Sequence, residues 1–592
     1  MDQPRSEYPR PQFVRPQWLC LNGTWQFEID AGDSGLERGL RDRELAGTIT
    51  VPFCPESALS GVGHVDFMNA VWYRKVVEIP AAWDGREVLL HFGAVDYETT
   101  VWVNGSERAR HRGGFTPFTC TLAGAAGPGQ TATIVVRARD GRGEAKAGGK
   151  QSVAYANSGC HYTRTTGIWQ TVWLEPVPAV RFGRPRITPD VPGRRFRLEL
   201  PLEGPRAGCR IRATLSDAAG AIARAEVPAD QAFTPQLDLA VPADRLKLWG
   251  PGEGHLYDIA LELVDAGGAV VDAASTYAGM RSIVIDGMAV RINGGSVFQR
   301  LVLDQGYYPD GIMTAPTDEA LRRDIELSLA AGFNGARLHQ KVFEERFLYH
   351  ADRMGYLVWG EFGDWGCSCR WNGASIEQLS RHDPMVSMMG QWAEALQRDY
   401  SHPCIVGWCP LNETHAAIGD RMDMLDDLTR GLFLVTKNAD RSRPVLDASG
   451  YAHRVARADV WDSHDYSQDV EQFRRRQGGI GAGEPFYNSR EISVAYGGQP
   501  YFCSEFGGIR WTDQPDGWGY GEAPATIEEF YARFEGLCAA LLDDAAVFGY
   551  CYTQLTDVFQ EQNGLYRFDR TAKFDLPRLR AAQGRTAAIE RR

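Results

Sequence analysis

Leu321-Arg322-Arg323-Asp324-Ile325-Glu326-Leu327-Ser328-Leu329-Ala330-Ala331-Gly332-Phe333-Asn334-Gly335-Ala336-Arg337-Leu338-His339 carries the pattern that decides the architecture of the C-terminal half. Leu321, Ile325 and Leu329 share one helical face, Gly332 ends that helix, and Asn334 to Leu338 reads as a short buried strand. The unit repeats. A helix over about Val342 to Met354 stops at Gly355 before the apolar run Tyr356-Leu357-Val358-Trp359, and another, over about Met385 to Tyr400, precedes Cys404 to Trp408. Further strands are predicted over Ser296 to Leu303, Val445 to Asp447, Val460 to Ser463, Tyr501 to Ser504 and Val547 to Tyr550, the last after a helix over about Ile527 to Leu542. Eight strands alternating with helices over residues 286–592 predict a (β/α)8 TIM barrel, a fold that places its chemistry at the carboxyl ends of the strands.

Upstream of residue 286 the period changes from helical to two-residue. Tyr73 to Ile79, Glu87 to Phe92, Thr99 to Val103, Thr131 to Ala138 and Thr171 to Glu175 are short β-type runs separated by Gly, Pro and Asp, which predicts a β-sandwich over residues 1–180. Asn104-Gly105, directly after Val101-Trp102-Val103, is a two-residue hairpin turn, since both positions tolerate positive φ. Residues 181–285 continue in β texture through Phe196 to Leu200, Cys209 to Leu215, Tyr257 to Val264 and Val270 to Ala274, enough for one immunoglobulin-like sandwich.

The bulk numbers exclude several classes. At 592 residues the chain exceeds a single core, and 44% hydrophobic with 23% charged residues is an ordinary globular composition. A net charge of −13 has the wrong sign for tracking a polyanion, so nucleic acid is not an expected partner. No apolar stretch of about 20 residues is present to span a bilayer, so no membrane association is expected. Met1 to Gln17 is polar and rich in proline and arginine, unlike a signal peptide, and several of the twelve cysteines (Cys404, Cys409, Cys503, Cys538, Cys551) lie in apolar runs. A cytoplasmic location follows as the expectation. Cys367 and Cys369 are too closely spaced for a usual zinc motif, and no metal or cofactor is expected.

Polar groups at or just after the ends of the predicted strands are the candidates for chemistry: Asp304, Arg337, His339, Glu361, Asn412, Glu413, His464, Glu505 and Gln554. Glu413 follows the fourth strand and Glu505 ends the seventh, on opposite sides of a barrel mouth. Two carboxyl groups flanking one bond are what glycoside hydrolysis needs, one protonated to release the leaving oxygen and one ionised to attack the sugar. Spacing alone leaves open that each glutamate makes a rim salt bridge.

Leu21-Asn22-Gly23-Thr24-Trp25, Trp72-Tyr73-Arg74-Lys75, Tyr162 through Gln170 (YTRTTGIWQ), Asn412-Glu413 and Ser504-Glu505-Phe506-Gly507-Gly508, in that order, resemble glycoside hydrolase family 2, which includes β-galactosidases, β-glucuronidases and β-mannosidases. The resemblance runs nearly the whole length. It implies a jelly-roll-like sandwich of sugar-binding type, an immunoglobulin-like sandwich and a catalytic barrel, in that order. It also implies Glu413 as acid/base, Glu505 as nucleophile and Asn412 as the partner of the sugar 2-hydroxyl, with net retention of configuration. Arg337 resembles the family's barrel arginine and is expected to keep Glu505 ionised, whereas the apolar strand end at Glu413 favours a protonated acid. His464 or Tyr466 is expected to donate to the nucleophile or to a sugar hydroxyl. Glu361, Trp359, Asp304, Gln305 and Gln554 are expected to line the sugar pocket, and Trp365, Trp371, Trp511 and Trp518 offer loop aromatic faces for stacking.

The sugar is the least constrained part of this reading. The family's β-glucuronidases resemble one another in an Asn-x-Lys motif that engages the sugar carboxylate, whereas Gln562-Asn563-Gly564-Leu565-Tyr566 lacks the lysine. A neutral, β-galactosidase-like substrate is therefore expected, with a β-glucuronidase or β-galacturonidase as the alternative if Arg510 or Arg567 replaces that lysine. A carbohydrate-binding protein without turnover is the non-enzyme alternative. Long loops at Gly363 to Ser380 and Ser467 to Gln499 are expected to close the mouth into a pocket, giving exo action. The Arg474-Arg475-Arg476 run in the second loop suggests mobility or contact with a second copy, and a homo-oligomer is expected.

Overall fold

The computed structural model describes residues 3–142, 145–366, 384–415 and 422–591. Three apolar cores lie along the chain. The first is enclosed between a four-stranded sheet (19–20, 172–177, 87–92, 118–121) and a six-stranded sheet (47–51, 23–30, 70–78, 131–139, 98–103, 106–112), both antiparallel. Trp25, Tyr73, Leu90, Phe92, Val101 and Val136 fill it. Asn104 and Gly105 make the turn between two of these strands with φ of 47° and 78°, as the asparagine–glycine pair predicts. The second core, built on Phe196, Leu198, Ile211, Leu215, Tyr257 and Leu261, lies between a three-stranded and a four-stranded antiparallel sheet. Along Tyr257–Val264 buried residues alternate with exposed ones, the signature of a strand with one face on the core.

The third core holds a seven-stranded parallel sheet of β1 (Gln299–Asp304), β2 (Gly335–Leu338), β3 (Leu357–Glu361), β4 (Ile405–Cys409), β5 (Trp461–Asp465), β6 (Tyr501–Gly507) and β7 (Val547–Thr553). Their order is β4-β3-β2-β1-β7-β6-β5, and all pairings are parallel. The predicted strand at Val445 is reduced to two parallel bridges against the β4 segment, Trp408↔Val445 and Asn412↔Ser449. It nevertheless occupies the place between β4 and β5, so the sequence order is that of a (β/α)8 barrel. Buried on both faces, β6 and β7 show no exposed position.

Helices α1 (Asp318–Ala331), α2 (Glu345–Met354), α3 (Pro384–Asp399), α4 (Met422–Ala439), α5 (Val470–Gln477), α6 (Ile527–Leu542) and α7 (Leu576–Gln583) accompany these strands. For α1 the local sequence sets both ends: the Thr317 side chain accepts from Ala320 N, and Gly332, at φ 102°, donates back to the last carbonyls. No described helix is long and apolar enough to cross a membrane. The described cysteines, ten in number, are free thiols, and most are buried. Cys367, Cys369, Trp371 and most of the Gly363 to Ser380 loop lie outside the described residues.

The first unit reaches over the mouth of the parallel sheet. Lys146 N, Gly148 N and Gly149 N donate to the carbonyls of Gly366, Trp365 and Gly363, so residues 146–149 run alongside the segment that follows β3. The second unit braces the other end: Trp249 Nε1 donates to Asp352 O at 2.6 Å, and Arg281 donates to the carbonyls of Pro403 and Ile405.

Candidate active site

Arg337, near the end of β2 and fully buried, organises the mouth. Its Nε donates to Glu361 Oε2 (2.5 Å), one terminal nitrogen to Ser504 O (2.9 Å), and the other to Asn412 Oδ1 (2.5 Å) and Glu505 Oε1 (2.7 Å), with His339 Nδ1 at 3.1 Å. A planar guanidinium with five donors in fixed directions ties β2, β3, β4 and β6 together, which a lysine cannot do. His339, one residue past the end of β2, continues its alternation and therefore faces the same interior as Arg337.

Glu505, in β6, accepts from Arg337 at Oε1 and from the Tyr466 hydroxyl at Oε2 (2.5 Å). Burial alone would raise its pKa. The positive charges of His464, Arg337 and Lys150 outweigh that and hold the carboxyl below the usual carboxylate range, so it is ionised. Tyr466 is itself held by Thr553 Oγ1 (3.1 Å) and stacks on Tyr520 with ring centroids 3.4 Å apart. Gly508, at φ 60°, permits that stack, since a Cβ there would sit 2.4 Å from the Tyr520 ring.

Glu413 follows β4 in a left-handed backbone conformation (φ 51°), an uncommon and costly state for a residue with a side chain. Glu413 N donates to Ser449 O at 2.8 Å, which fixes this turn against the 445–449 segment. His464 Nδ1 lies 2.6 Å from Glu413 Oε1 and 3.4 Å from Glu505 Oε2. Desolvation disfavours a charged imidazole here, but the two carboxylates outweigh it and raise the His464 pKa. Its Nε2 meets Ser449 Oγ at 3.0 Å, and Asn488 clamps its backbone, donating to His464 O (2.6 Å) and accepting from His464 N (3.0 Å). Gly450 lies against the imidazole: a Cβ there would be 2.6 Å from the ring.

One carboxylate oxygen each of Glu413 and Glu505 and a ring nitrogen of His464 lie within 4.8 Å of one another. The same atoms form a candidate cation site, but both Glu505 oxygens already accept from Arg337 and Tyr466, and a divalent ion would be set against that guanidinium. The donor set suits proton sharing better than metal binding.

Asn412 is 1% exposed; its Oδ1 accepts from Arg337 while its Nδ2 has no hydrogen-bond partner among the described residues. A buried donor without an acceptor is costly, and here it belongs to the residue directly before Glu413. Burial, with Lys150 and Arg337 adding to it, drives His339 well below the ordinary histidine range. Glu361 accepts from Arg337 Nε and, at Oε1, from Gln340 N (2.9 Å), so it supports the arginine. Gln554, just past β7, accepts from Gln305 (2.9 Å) and donates to Asn563 (2.8 Å), whose amide donates to Glu561 (3.1 Å).

Two expected pocket residues are placed elsewhere. Trp359 is fully buried, with its Nε1 donating to Gln299 Oε1 (2.7 Å) at the start of β1 and its ring on Phe502. It shares the inward face of β3 with Glu361 but sits two residues, roughly 6.6 Å, lower, so it packs beneath the site. Asp304 accepts from Gly306 N (2.9 Å), and its charged neighbours are Asp324, Arg570 and Lys341, none of them a site residue.

Loop residues complete the wall. Trp365 Nε1 donates to Asn412 O (2.8 Å), whereas Trp518 Nε1 donates to Gly159 O (2.7 Å) and Trp511 packs on Phe530 and Phe574. Sequence reasoning missed Lys150, Asp364, Ser449, Asn488, Tyr520 and Glu561. Only Ser449, two residues past a predicted strand, was within reach of the strand-end rule. Asp364 accepts from Asn412 N (3.0 Å) and from the Thr414 hydroxyl, fixing the backbone on both sides of Glu413.

Comparison with known proteins adds the following. Residues 180–281 match the model of "Glycosyl hydrolases family 2". A β-glucuronidase of Paenibacillus borealis is 27% identical over 419 residues, covering 66% of this chain and 67% of that protein. A β-galactosidase of Thermoanaerobacter pseudethanolicus is 22% identical over 427 residues, 69% of this chain and 52% of that protein. The chain thus spans about two thirds of one such relative and about half of another. The β-glucuronidase of Ruminococcus gnavus, solved with D-glucuronic acid, superposes with a TM-score of 0.76 at 19% identity, over 98% of this chain and 100% of that one. At that identity the likeness is one of fold.

Proposed function

We propose that this chain, which belongs to glycoside hydrolase family 2, is a retaining exo-β-glycosidase that removes terminal β-linked sugars by double displacement. Glu505 is the nucleophile and Glu413 the acid/base. The observation that carries the reading is the pair of carboxylates with oxygens within 4.8 Å of each other, sharing His464. Retention needs the two carboxyl groups about 5–5.5 Å apart, whereas inversion leaves about 6.5–9.5 Å for a water.

The chemistry follows from the partners of each group. Ionised Glu505, aimed by Arg337 and Tyr466, attacks the anomeric carbon while Glu413 protonates the leaving oxygen. Glu413 then removes a proton from water as the glycosyl ester is hydrolysed. The unpartnered Asn412 Nδ2 donates to the sugar 2-hydroxyl, a contact that strengthens in the transition state. His464 orients Glu413, and the Gln305-Gln554-Asn563-Glu561 chain forms a polar wall for the remaining hydroxyls.

We read residues 1–180 as a sugar-binding-type sandwich, 181–285 as an immunoglobulin-like sandwich and 286–592 as the catalytic barrel. The loop over residues 467–499 supports exo action, since its Asn488 clamps the His464 backbone at the mouth. Buried free thiols support a cytoplasmic location, and the exposed arginines of α5 support a homo-oligomer. Relatives of both kinds support a neutral galactoside and a uronide equally. A panel of 4-nitrophenyl α- and β-glycosides tests the reading: release from β-linked substrates alone is expected, and hydrolysis of α-glycosides alone overturns it. On a blocked polysaccharide, early mixed-length oligomers would overturn the exo assignment.

A further inference from the structure

We propose that Lys150, contributed by the N-terminal unit, is the counter-ion for a substrate carboxylate, so that the preferred substrate is a terminal β-linked uronic acid. This rests on the glycosidase reading above and adds the class of sugar.

Of the two lysines buried among the described residues, Lys341 donates to the carbonyls of Gly306 and Met313. Lys150, 6% exposed, makes no hydrogen bond or ion pair with a described residue. Its position is nevertheless well defined. Its carbonyl accepts from Tyr162 N (2.8 Å), and its ammonium lies 5.4 Å from the centre of the Trp365 ring, whose nitrogen donates to Asn412 O. Tyr162 in turn donates its hydroxyl to Glu561. Lys150 is thus held between the residue before Glu413 on one side and the Glu561 wall on the other.

The surrounding carboxylates do not serve as partners because other donors already occupy them. Glu505 accepts from Arg337 and Tyr466, Glu413 lies against His464, and Glu561 accepts from Asn563 at Oε1 and from Tyr162 at Oε2. Burial disfavours the ammonium, but the charges around it, Glu561, Glu505 and Glu413 among them, outweigh that, so Lys150 stays protonated. A buried ammonium with three donors and no acceptor is costly. A carboxylate offers both the missing charge and several lone pairs, whereas a hydroxymethyl group offers neither charge nor a second acceptor atom. Two other cations of the C-terminal segment are placed less suitably. Arg567 donates to Ala572 O from an exposed position, and Lys573 is paired with Asp557 at 2.8 Å.

The test compares wild-type enzyme with Lys150→Met and Lys150→Arg on the 4-nitrophenyl β-D-glucuronide, β-D-galacturonide, β-D-glucoside and β-D-galactoside. In wild type, kcat/KM is expected to be higher for at least one uronide than for its neutral counterpart. In Lys150→Met that ratio should fall about 100-fold, the scale of a desolvated charge pair losing one member, and Lys150→Arg should recover part of it. Thermal shifts with D-glucuronate and D-galacturonate, against D-glucose and D-galactose, give a readout independent of turnover. Stabilisation by a uronate in wild type and its loss in Lys150→Met are expected. The proposal is overturned if wild type prefers the neutral sugars in both measurements, or if Lys150→Met keeps the wild-type ratio and shift. Failure to hydrolyse any of the four, with uronate binding that Lys150→Met abolishes, would count against the glycosidase reading and leave Lys150 as the counter-ion of a bound carboxylate.

Discussion

The Nδ1 atom of His464 lies 2.6 Å from Oε1 of Glu413, so the proposed acid/base is held by a neighbour on the next strand. Glu413 stands in a left-handed turn with its side chain projecting over the mouth, and an unsupported glutamate there would sample several rotamers. The chain from Asp462 through Ser449 Oγ (2.8 Å) to His464 Nε2 (3.0 Å) fixes the imidazole in turn.

Replacing His464 by Ala should therefore harm protonation of the leaving group more than attack on the sugar. We expect kcat/KM to fall about 10²-fold on alkyl β-glycosides, within the range general acid catalysis contributes, and much less on dinitrophenyl glycosides. Steady-state kinetics over a series of leaving groups reads this directly. A uniform loss across the series would mean that His464 acts on Glu505, 3.4 Å away, in place of acting through Glu413.

Tyr466→Phe removes one donor from Glu505 while leaving Arg337 in place. Losing a hydrogen bond to the charged form raises a carboxyl pKa. Activity requires ionised Glu505, so the acid limb of the kcat/KM profile should move to higher pH. A drop in kcat of about 10- to 10²-fold should accompany it, in line with loss of one oriented donor. Unchanged acid limbs in the two enzymes would contradict this arrangement.

Stability should carry the same signature. Because the folded-state pKa of Glu505 is depressed, its contribution is full above the ordinary glutamate value of about 4.3 and is lost as pH falls through the folded value. His464 has the opposite sign: its pKa is raised, so its contribution is full below about 6.5 and is lost as pH rises through the folded value. Glu505→Gln mimics the protonated acid. The melting temperature of wild type should exceed that of Glu505→Gln near neutrality, and the gap should close as pH drops below the glutamate range. A gap that is constant with pH would remove the electrostatic account of Glu505.

Much of this architecture was legible because parallel barrels write themselves as repeats. The stretch from Leu321 to His339 holds a capped helix, a glycine stop and a buried strand, and the structure returns them as α1, Gly332 and β2. Glu413, Glu505, His464, Tyr466 and Arg337 fall at strand ends, where the fold itself points to chemistry. Height within the barrel was not legible: Trp359 and Glu361 share one inward face, and only the packing of Trp359 on Phe502 shows that it lies a layer down. Contacts between units were hidden as well. The Tyr162–Glu561 bond joins residues 399 apart, and no local pattern marks Lys150 as the lysine that arrives beneath Trp365.

The division of labour between Glu505 and Glu413 is tested most directly by the anomeric configuration of azide-rescued products. With azide and an activated aryl β-glycoside, Glu505→Ala should regain turnover and release the α-glycosyl azide, because the small anion attacks from the face the missing nucleophile vacated. Glu413→Ala, with its nucleophile intact, should release the β-glycosyl azide. Nuclear magnetic resonance of the two products distinguishes them by the coupling of the anomeric proton in gluco- and galacto-configured sugars. A β-azide from Glu505→Ala, retaining configuration, would contradict Glu505 as the nucleophile and with it the double displacement.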